Sequence, residues 1–193
     1  MSQKLTEGFV CSNLSDNFEG LSFKKIPISS VEENSVKVSI KAASLNFPDL
    51  LMTQGKYQNK PTLPFALGME GAGIVSEVGS QSCAFKEGDE VMFGSWGHGA
   101  IAKEIVLPES MLSQKPKSFS FEEAAAFKTV YLTAFVGLIR RGNLVEGENL
   151  LVHGATGGVG MAAVELGKLY GARVIATGTV SYTHLTLPTN REV

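Results

Sequence analysis

Residues 147–171, GENLLVHGATGGVGMAAVELGKLYG, restrict what this chain can fold into more than any other stretch. A Gly147-Glu148 turn leads into the apolar run Leu150-Leu151-Val152. The glycine-rich turn GATGGVG at 154–160 follows, and then Val159, Ala162, Ala163, Leu166 and Leu169 recur at helical spacing. Gly171 suits the C′ position that closes a helix. Arg173-Val-Ile-Ala176 reads as a second strand. Strand, glycine turn, helix and strand make half of a mononucleotide-binding unit. Glycines at 157, 158 and 160 let the backbone approach a pyrophosphate, and the N–H groups and dipole of a helix start stabilise its charge. The alternative is a glycine-rich loop that only packs helix against sheet.

The 193 residues suffice for one large domain or two small ones, and an apolar content of 44% is ample for a core. A net charge of −2 without a basic block gives nothing for nucleic acid to bind. No apolar run reaches membrane-spanning length. The two cysteines, Cys11 and Cys83, are far apart, which suits a reducing compartment and argues against a disulfide framework. The N-terminus lacks a signal-peptide core. The expected setting is the cytoplasm, with mitochondria as the other compartment.

Short strands are expected at 8–11, 21–28, 36–42, 73–78, 90–93 and 102–107, with Val36, Val38 and Ile40 alternating with polar residues. Phe47-Pro48-Asp49 can start a helical turn, and 60–68, with Pro61 and Pro64, reads as loop. Evenly spaced short strands predict a closed or nearly closed β-barrel. Gly68-Met-Glu-Gly-Ala-Gly73 is rich in glycine, yet a strand follows it, so it reads as a loop entering that strand and not as a phosphate cradle. Near Lys115-Pro116 the pattern changes. Ser120 and Glu123 form a capping-box pair, and 122–127 and 129–141 read as helices ending at Gly142. The expected organisation is a β-barrel domain over 1–117 and the start of an α/β Rossmann domain, one β-α-β piece, over 118–178.

Several motifs in order resemble the medium-chain dehydrogenase/reductase superfamily, in its zinc-independent quinone oxidoreductase (zeta-crystallin-like) branch. They are Ser44-Leu-Asn-Phe-Pro-Asp-Leu-Leu, Gly55-Lys-Tyr57, Pro64-Phe-Ala-Leu-Gly-Met-Glu-Gly-Ala-Gly73, Ala124-Ala-Ala-Phe, Tyr131-Leu-Thr-Ala-Phe135 and Ala155-Thr-Gly-Gly-Val-Gly160. The resemblance covers about 8–178 and implies a GroES-like barrel before the Rossmann start. Zinc-dependent relatives carry cysteine where this chain has Asn46, histidine where it has Met69, and a third cysteine near Lys128-Thr129. Amide and thioether do not replace thiolate and imidazole as zinc ligands, so no metal is expected. His98, between two glycines, reads as a loop histidine, and His153 as packed at the end of the first Rossmann strand.

The resemblance implies a nicotinamide cofactor and hydride transfer to a small, already electrophilic acceptor: a quinone or an enone. Asn46 and Tyr57 match polar cleft residues. Tyr57 either bonds or protonates the acceptor oxygen, or it only packs at the rim; Asn46 either faces the cleft or caps the turn before Asp49. Glu70 is expected to be structural. Ala155, Thr156, Gly157, Gly158, Val159 and Gly160 match the phosphate turn. Thr133 matches a position near the nicotinamide, or is a packed helix threonine. Glu165 stands where a glutamine is usual. An NAD-preferring fold places an acid about 20 residues past the glycines; here that position is Gly178, which favours NADPH over NADH. The parent is expected to be a homodimeric NADPH-dependent quinone reductase. The alternatives are a 2-enoyl or alkenal reductase and a non-catalytic NADPH-binding protein of the same fold.

Val180-Ser-Tyr-Thr-His-Leu-Thr-Leu-Pro-Thr189 resembles a translated transposon-end sequencing adapter, so 179–193 is set apart as non-native, with Tyr182, His184 and Arg191 in it. A β-α-β piece is short of the roughly six strands of a Rossmann sheet. Residues 1–178 are therefore expected to expose apolar surface, bind NADPH weakly or not at all, and aggregate. Gel filtration with a cofactor titration checks this, and a stable cofactor-binding monomer would overturn it.

Overall fold

The computed structural model describes residues 4–82, 84–95 and 99–178. Cys83, His98 and the stretch 179–193 lie outside the described residues. The chain divides into two compact units, one through Thr129 and one from Val130.

Among the described residues the first unit has eight strands: β1 (Leu5–Cys11), β2 (Leu21–Pro27), β3 (Ser35–Ser44), β4 (Phe65–Ala66), β5 (Glu70–Val78), β6 (Glu90–Gly94), β7 (Glu104–Pro108) and β8 (Leu112–Gln114). All pair antiparallel, in a three-stranded sheet β2-β1-β4 and a five-stranded sheet β7-β3-β5-β6-β8. Residues 100–103 join the sheets. Phe9 N–H donates to the Ile101 carbonyl (2.9 Å), Lys103 N–H to Glu7 (2.7 Å), and Ile40 N–H to Lys103 (2.9 Å). The alternation in β3 sends Val36 and Val38 inward, against Val75, Val91, Phe93, Ile105 and Leu107. The result is the GroES-like barrel.

Two loop expectations need correction. Within 60–68, Phe65 and Ala66 form β4, paired with Cys11 and Val10. Of the stretch 68–73, all from Glu70 onward is already strand, and its glycines serve the sheet: a Cβ on Gly73 would stand 2.2 Å from the Ser39 carbonyl oxygen of the neighbouring strand. β8 was not expected, because three residues with one buried side chain leave no alternation to read.

α1 (Phe47–Thr53) runs two turns from Pro48 in its first turn. α2 (Phe121–Ala125) begins with the full capping box: Ser120 Oγ accepts from Glu123 N–H (3.1 Å), and Ser120 N–H donates to the Glu123 carboxylate (2.7 Å). Ala124 and Ala125 bury against Ala72 and Met92. Lys115, 8% exposed, fixes the approach: its ammonium bonds the Phe119 carbonyl (2.5 Å) and pairs with Glu90 (3.0 Å).

The helix expected over 129–141 is α3 (Lys128–Phe135) continuing into a π-helical stretch, Val136–Arg141. Gly142 N–H bonds the Gly137 carbonyl five residues back (2.8 Å). In the second unit, β9 (Asn149–His153) and β10 (Arg173–Thr177) pair parallel across α4 (Gly158–Leu169), and Gly171 follows α4 at φ +75°. Leu150, Val152, Val174 and Ala176 pack with Ala162, Ala163 and Val164 of the helix. The other strand face leaves Leu151 and Ile175, which pair directly, about half exposed (52% and 46%). No helix among the described residues is long and apolar enough to cross a membrane.

Phe93 is fully buried at the centre of the barrel core. Phe93→Ala should cost about 3–5 kcal/mol of stability, the usual range for emptying a buried aromatic site. Urea denaturation of the variant beside the parent measures it.

Candidate functional site

Two groups of residues stand out, one in each unit. The first is organised by Glu70, whose carboxylate is 1% exposed at the start of β5. One oxygen accepts from Ser44 Oγ (2.6 Å) and Asn46 Nδ2 (2.9 Å); the other accepts from the Thr129 N–H (2.7 Å) in the first turn of α3. A buried carboxylate needs such donors, and a helix N-terminus adds favourable potential. Asn46 Nδ2 also lies 3.1 Å from Ser44 Oγ.

Asn46 occupies the N-cap position of α1, and its backbone N–H donates to Asp49 Oδ2 (2.8 Å). Its side chain faces the Asp49 N–H in a capping box, and its Nδ2 donates to Glu70. Asp49 is 1% exposed and takes a second bond from the Gly68 N–H (3.2 Å). Burial pushes its carboxyl above the ordinary range, the two backbone bonds oppose this, and the nearby Glu70 charge adds to the rise. The Lys128 ammonium reaches the Met111 carbonyl and Ser113 Oγ (both 3.1 Å); burial lowers its pKa, and Glu70 opposes the shift.

Tyr57 is half-buried and packs against the cluster of Cys11, Met52, Phe65, Leu67 and Met69. Met69 is in that core, 6% exposed. At the zinc-ligand positions, then, the structure has a committed amide, a buried thioether and an ammonium, a donor set that does not suit zinc. Among the described residues no three His, Cys, Asp or Glu side chains group as metal ligands. A cavity of about 780 Å³ lies elsewhere in this unit, along Glu32, Glu33 and Gly79. The cavity that Asn46 lines, with Asp49, is about 310 Å³.

In the second unit the strand ends and the helix start converge. Ala155 is buried, Thr156 and Gly160 are half-buried, and Gly157, Gly158 and Val159 are exposed. Ala155 N–H donates to the Thr177 carbonyl (2.9 Å) and Gly157 N–H to Gly154 (3.0 Å). Only glycine fits at 160, where a Cβ would lie 2.2 Å from the Gly154 oxygen. Gly157 is the N-cap of α4, and the first N–H groups of a helix have no intrahelical acceptor. Such a turn fits a pyrophosphate. Gly178 closes the group: its position faces Thr156 Cγ2, 3.1 Å from where a Cβ would stand. Thr133 is exposed on α3, one turn beyond the Val130 side chain that meets Gly158.

His153 is not packed as expected. It stands on the exposed strand face, with Nδ1 2.8 Å from Thr177 Oγ1 of the paired strand. The Glu165 carboxylate accepts the Tyr131 hydroxyl. Neither the Glu70–Thr129 bond nor the Tyr131–Glu165 bond has a local signal, because the partners are 59 and 34 residues apart.

Comparison with known proteins finds a family and similar relatives. The alcohol dehydrogenase GroES-like domain family matches residues 32–117. A quinone oxidoreductase-like protein 2 homolog of Nematostella vectensis is 39% identical over 166 residues, 78% of this chain and 46% of the relative. This chain therefore spans less than half the length of that relative. The quinone oxidoreductase of Pseudomonas syringae pv. Tomato DC3000 superposes with a TM-score of 0.82 at 36% identity, over 91% of this chain and 54% of the other. The CurK enoyl reductase superposes with a TM-score of 0.83 at 29% identity, over 92% and 55%.

The Tyr131 hydroxyl pKa is pushed up to about 12 from an ordinary 10.0, first by burial, then by its bond to Glu165 and that residue's charge. Because the folded state holds this proton more tightly, the linked stabilisation is full below about pH 10 and is lost as pH rises through about 12. Glu165→Gln should lower the midpoint only part of the way, since burial remains. Ultraviolet titration of phenolate absorbance measures both midpoints.

Proposed function

We propose that this chain, which belongs to the quinone oxidoreductase-like branch of the medium-chain dehydrogenase/reductase superfamily, is part of an NADPH-dependent reductase of quinones or similar activated carbonyls that works without zinc. The observation that carries the reading is the exposed start of α4. There, close-packed glycines and uncommitted N–H groups stand at the C-terminal ends of two parallel strands, the usual place for a dinucleotide in an open α/β sheet.

Ala155, Thr156, Gly157, Gly158, Val159 and Gly160 would hold the pyrophosphate, with Thr133 toward the nicotinamide. Gly178 leaves room and no repelling carboxylate for a 2′-phosphate, which supports NADPH over NADH. The cofactor supplies a hydride when bound. The chain's own residues supply polarity and a proton. Tyr57, with its ring packed on the Met52–Met69 cluster, offers a phenol O–H to the acceptor oxygen. Its donation neutralises the charge that develops there, so that hydride and proton together give the hydroxyl product. Asn46, held by Glu70, would line the cleft as a fixed polar residue. We further read the whole protein as a cytoplasmic homodimer.

The CurK likeness supports a second reading, reduction of a conjugated alkene, since a metal-free site serves either electrophile. A polypeptide of the relatives' full length that carries this chain decides between them. Following NADPH oxidation against quinones and 2-enoyl thioesters should show quinone turnover and at least about tenfold higher kcat/KM for NADPH than for NADH. Tyr57→Phe should lower kcat about 100-fold if the phenol is the proton donor, and within about threefold if it only packs. Tight NADPH binding with no turnover of any acceptor would overturn the enzymatic reading.

A further inference from the structure

Lys128, the first residue of α3, is a half-buried lysine that the reductase reading does not use. Its Nζ has two hydrogen-bond partners among the described residues, the Met111 carbonyl and Ser113 Oγ, both at 3.1 Å. It forms no ion pair among them. The Glu70 charge on β5 is near, but its oxygens are taken by Ser44, Asn46 and Thr129. Glu109, two residues before Met111, holds Ser82 Oγ (2.5 Å) and the Ala84 N–H (3.3 Å). Lys115, two residues past Ser113, pairs with Glu90 (3.0 Å).

The donor count matters here. An ammonium brings three N–H groups to these two acceptors, whereas a neutral amine brings two and keeps a lone pair. Burial without an ion pair favours the neutral form more than at an exposed lysine. Burial lowers the Lys128 pKa accordingly, and the Glu70 charge opposes the shift without a direct contact. The same two acceptors hold the nitrogen in place, and one of them is a hydroxyl that can both accept and donate a proton.

We infer that Lys128 is a reactive amine that condenses with small aldehydes to an imine, with Ser113 relaying the protons. The Nζ lone pair attacks the carbonyl carbon, and the C=O π pair moves to oxygen. One nitrogen proton passes through the Ser113 hydroxyl to that oxygen, which gives the carbinolamine. The second nitrogen proton follows the same path to the new hydroxyl group. The C–O bond then breaks, water leaves, and the nitrogen pair closes the C=N bond. The step consumes one aldehyde, releases one water and needs no oxidant or reductant.

Incubation of the 193-residue chain with propanal and cyanoborohydride tests the inference, because the reductant traps the imine as a stable secondary amine. Peptide mass spectrometry then reads each lysine separately. At about pH 7.5, Lys128 should be modified at least about threefold faster than the exposed Lys60 and Lys117. The advantage should vanish at about pH 11, above the ordinary range for lysine. Ser113→Ala should slow the Lys128 imine about tenfold, as loss of a proton relay requires. It should leave acylation of Lys128 by an N-hydroxysuccinimide ester, which releases no water, within about twofold. Modification of Lys128 no faster than of the exposed pair would overturn the inference, whether or not Ser113→Ala folds. An unchanged imine rate in folded Ser113→Ala would overturn the relay. The incubation contains neither nucleotide nor quinone, so a missing reductase activity leaves its outcome untouched.

Discussion

The Glu70 carboxylate is the contact on which the barrel's functional end depends. It is almost wholly buried, and an ion in that position is tolerable only with its lone pairs filled. Three donors fill them, from three places in the chain: Ser44 at the end of β3, Asn46 before α1, and the backbone of Thr129 in α3. Bonds to a charged acceptor are about twice as strong as neutral ones. Remove the charge and no neutral side chain of that shape can satisfy all three, because an amide offers only one acceptor oxygen. The strand end, the helix cap and the start of α3 are thus fixed by one group.

Two glycine-rich segments show how the same composition serves opposite ends. At 68–73 the glycines bring strand backbones close, and Gly73 pairs with Ile40 in β3. At 154–160 they fold a turn whose next residues enter a helix. What separates them is the pattern that follows. Ile74 and Val75 continue a strand, whereas Ala162, Ala163 and Leu166 return at helical spacing. The flanking periodicity was legible in the sequence, and for that reason the strand at one and the helix at the other were too.

Legibility ended where an element or contact lacks a local pattern. The capping box of Ser120 and Glu123 could be read three residues apart, and so could Gly171 at the end of α4. β4 and β8 are too short to carry a period, and they exist because neighbouring strands offer free edges. The π-helical stretch after Phe135 has no distinct sequence signature; its apolar spacing reads as continuing α-helix. At the candidate site the residue types at 46, 57 and 70 were visible. The partners that decide what each can do were not, since the Asn46–Glu70 bond closes 24 residues and the Glu70–Thr129 bond 59.

That difference changes the chemistry available. Taken alone, Asn46 has a donor and an acceptor, and either could face a ligand. Bound through Nδ2 to Glu70 and Ser44, and facing the Asp49 N–H in the capping box, it has no donor left. An acceptor oxygen facing a carbonyl oxygen repels it, so Asn46 cannot polarise an electrophile in the way a metal would. The neighbouring positions do not supply the missing donor either: Met69 is apolar and buried, Asp49 is filled by backbone N–H groups, and Lys128 points its ammonium at Met111 and Ser113. Of the polar residues singled out in this unit, Tyr57 carries a phenol O–H on a well-packed ring. On the proposed reading, a metal-free reduction needs an acceptor that is electrophilic without strong polarisation, and it would place on the Tyr57 phenol the task a Lewis acid performs elsewhere.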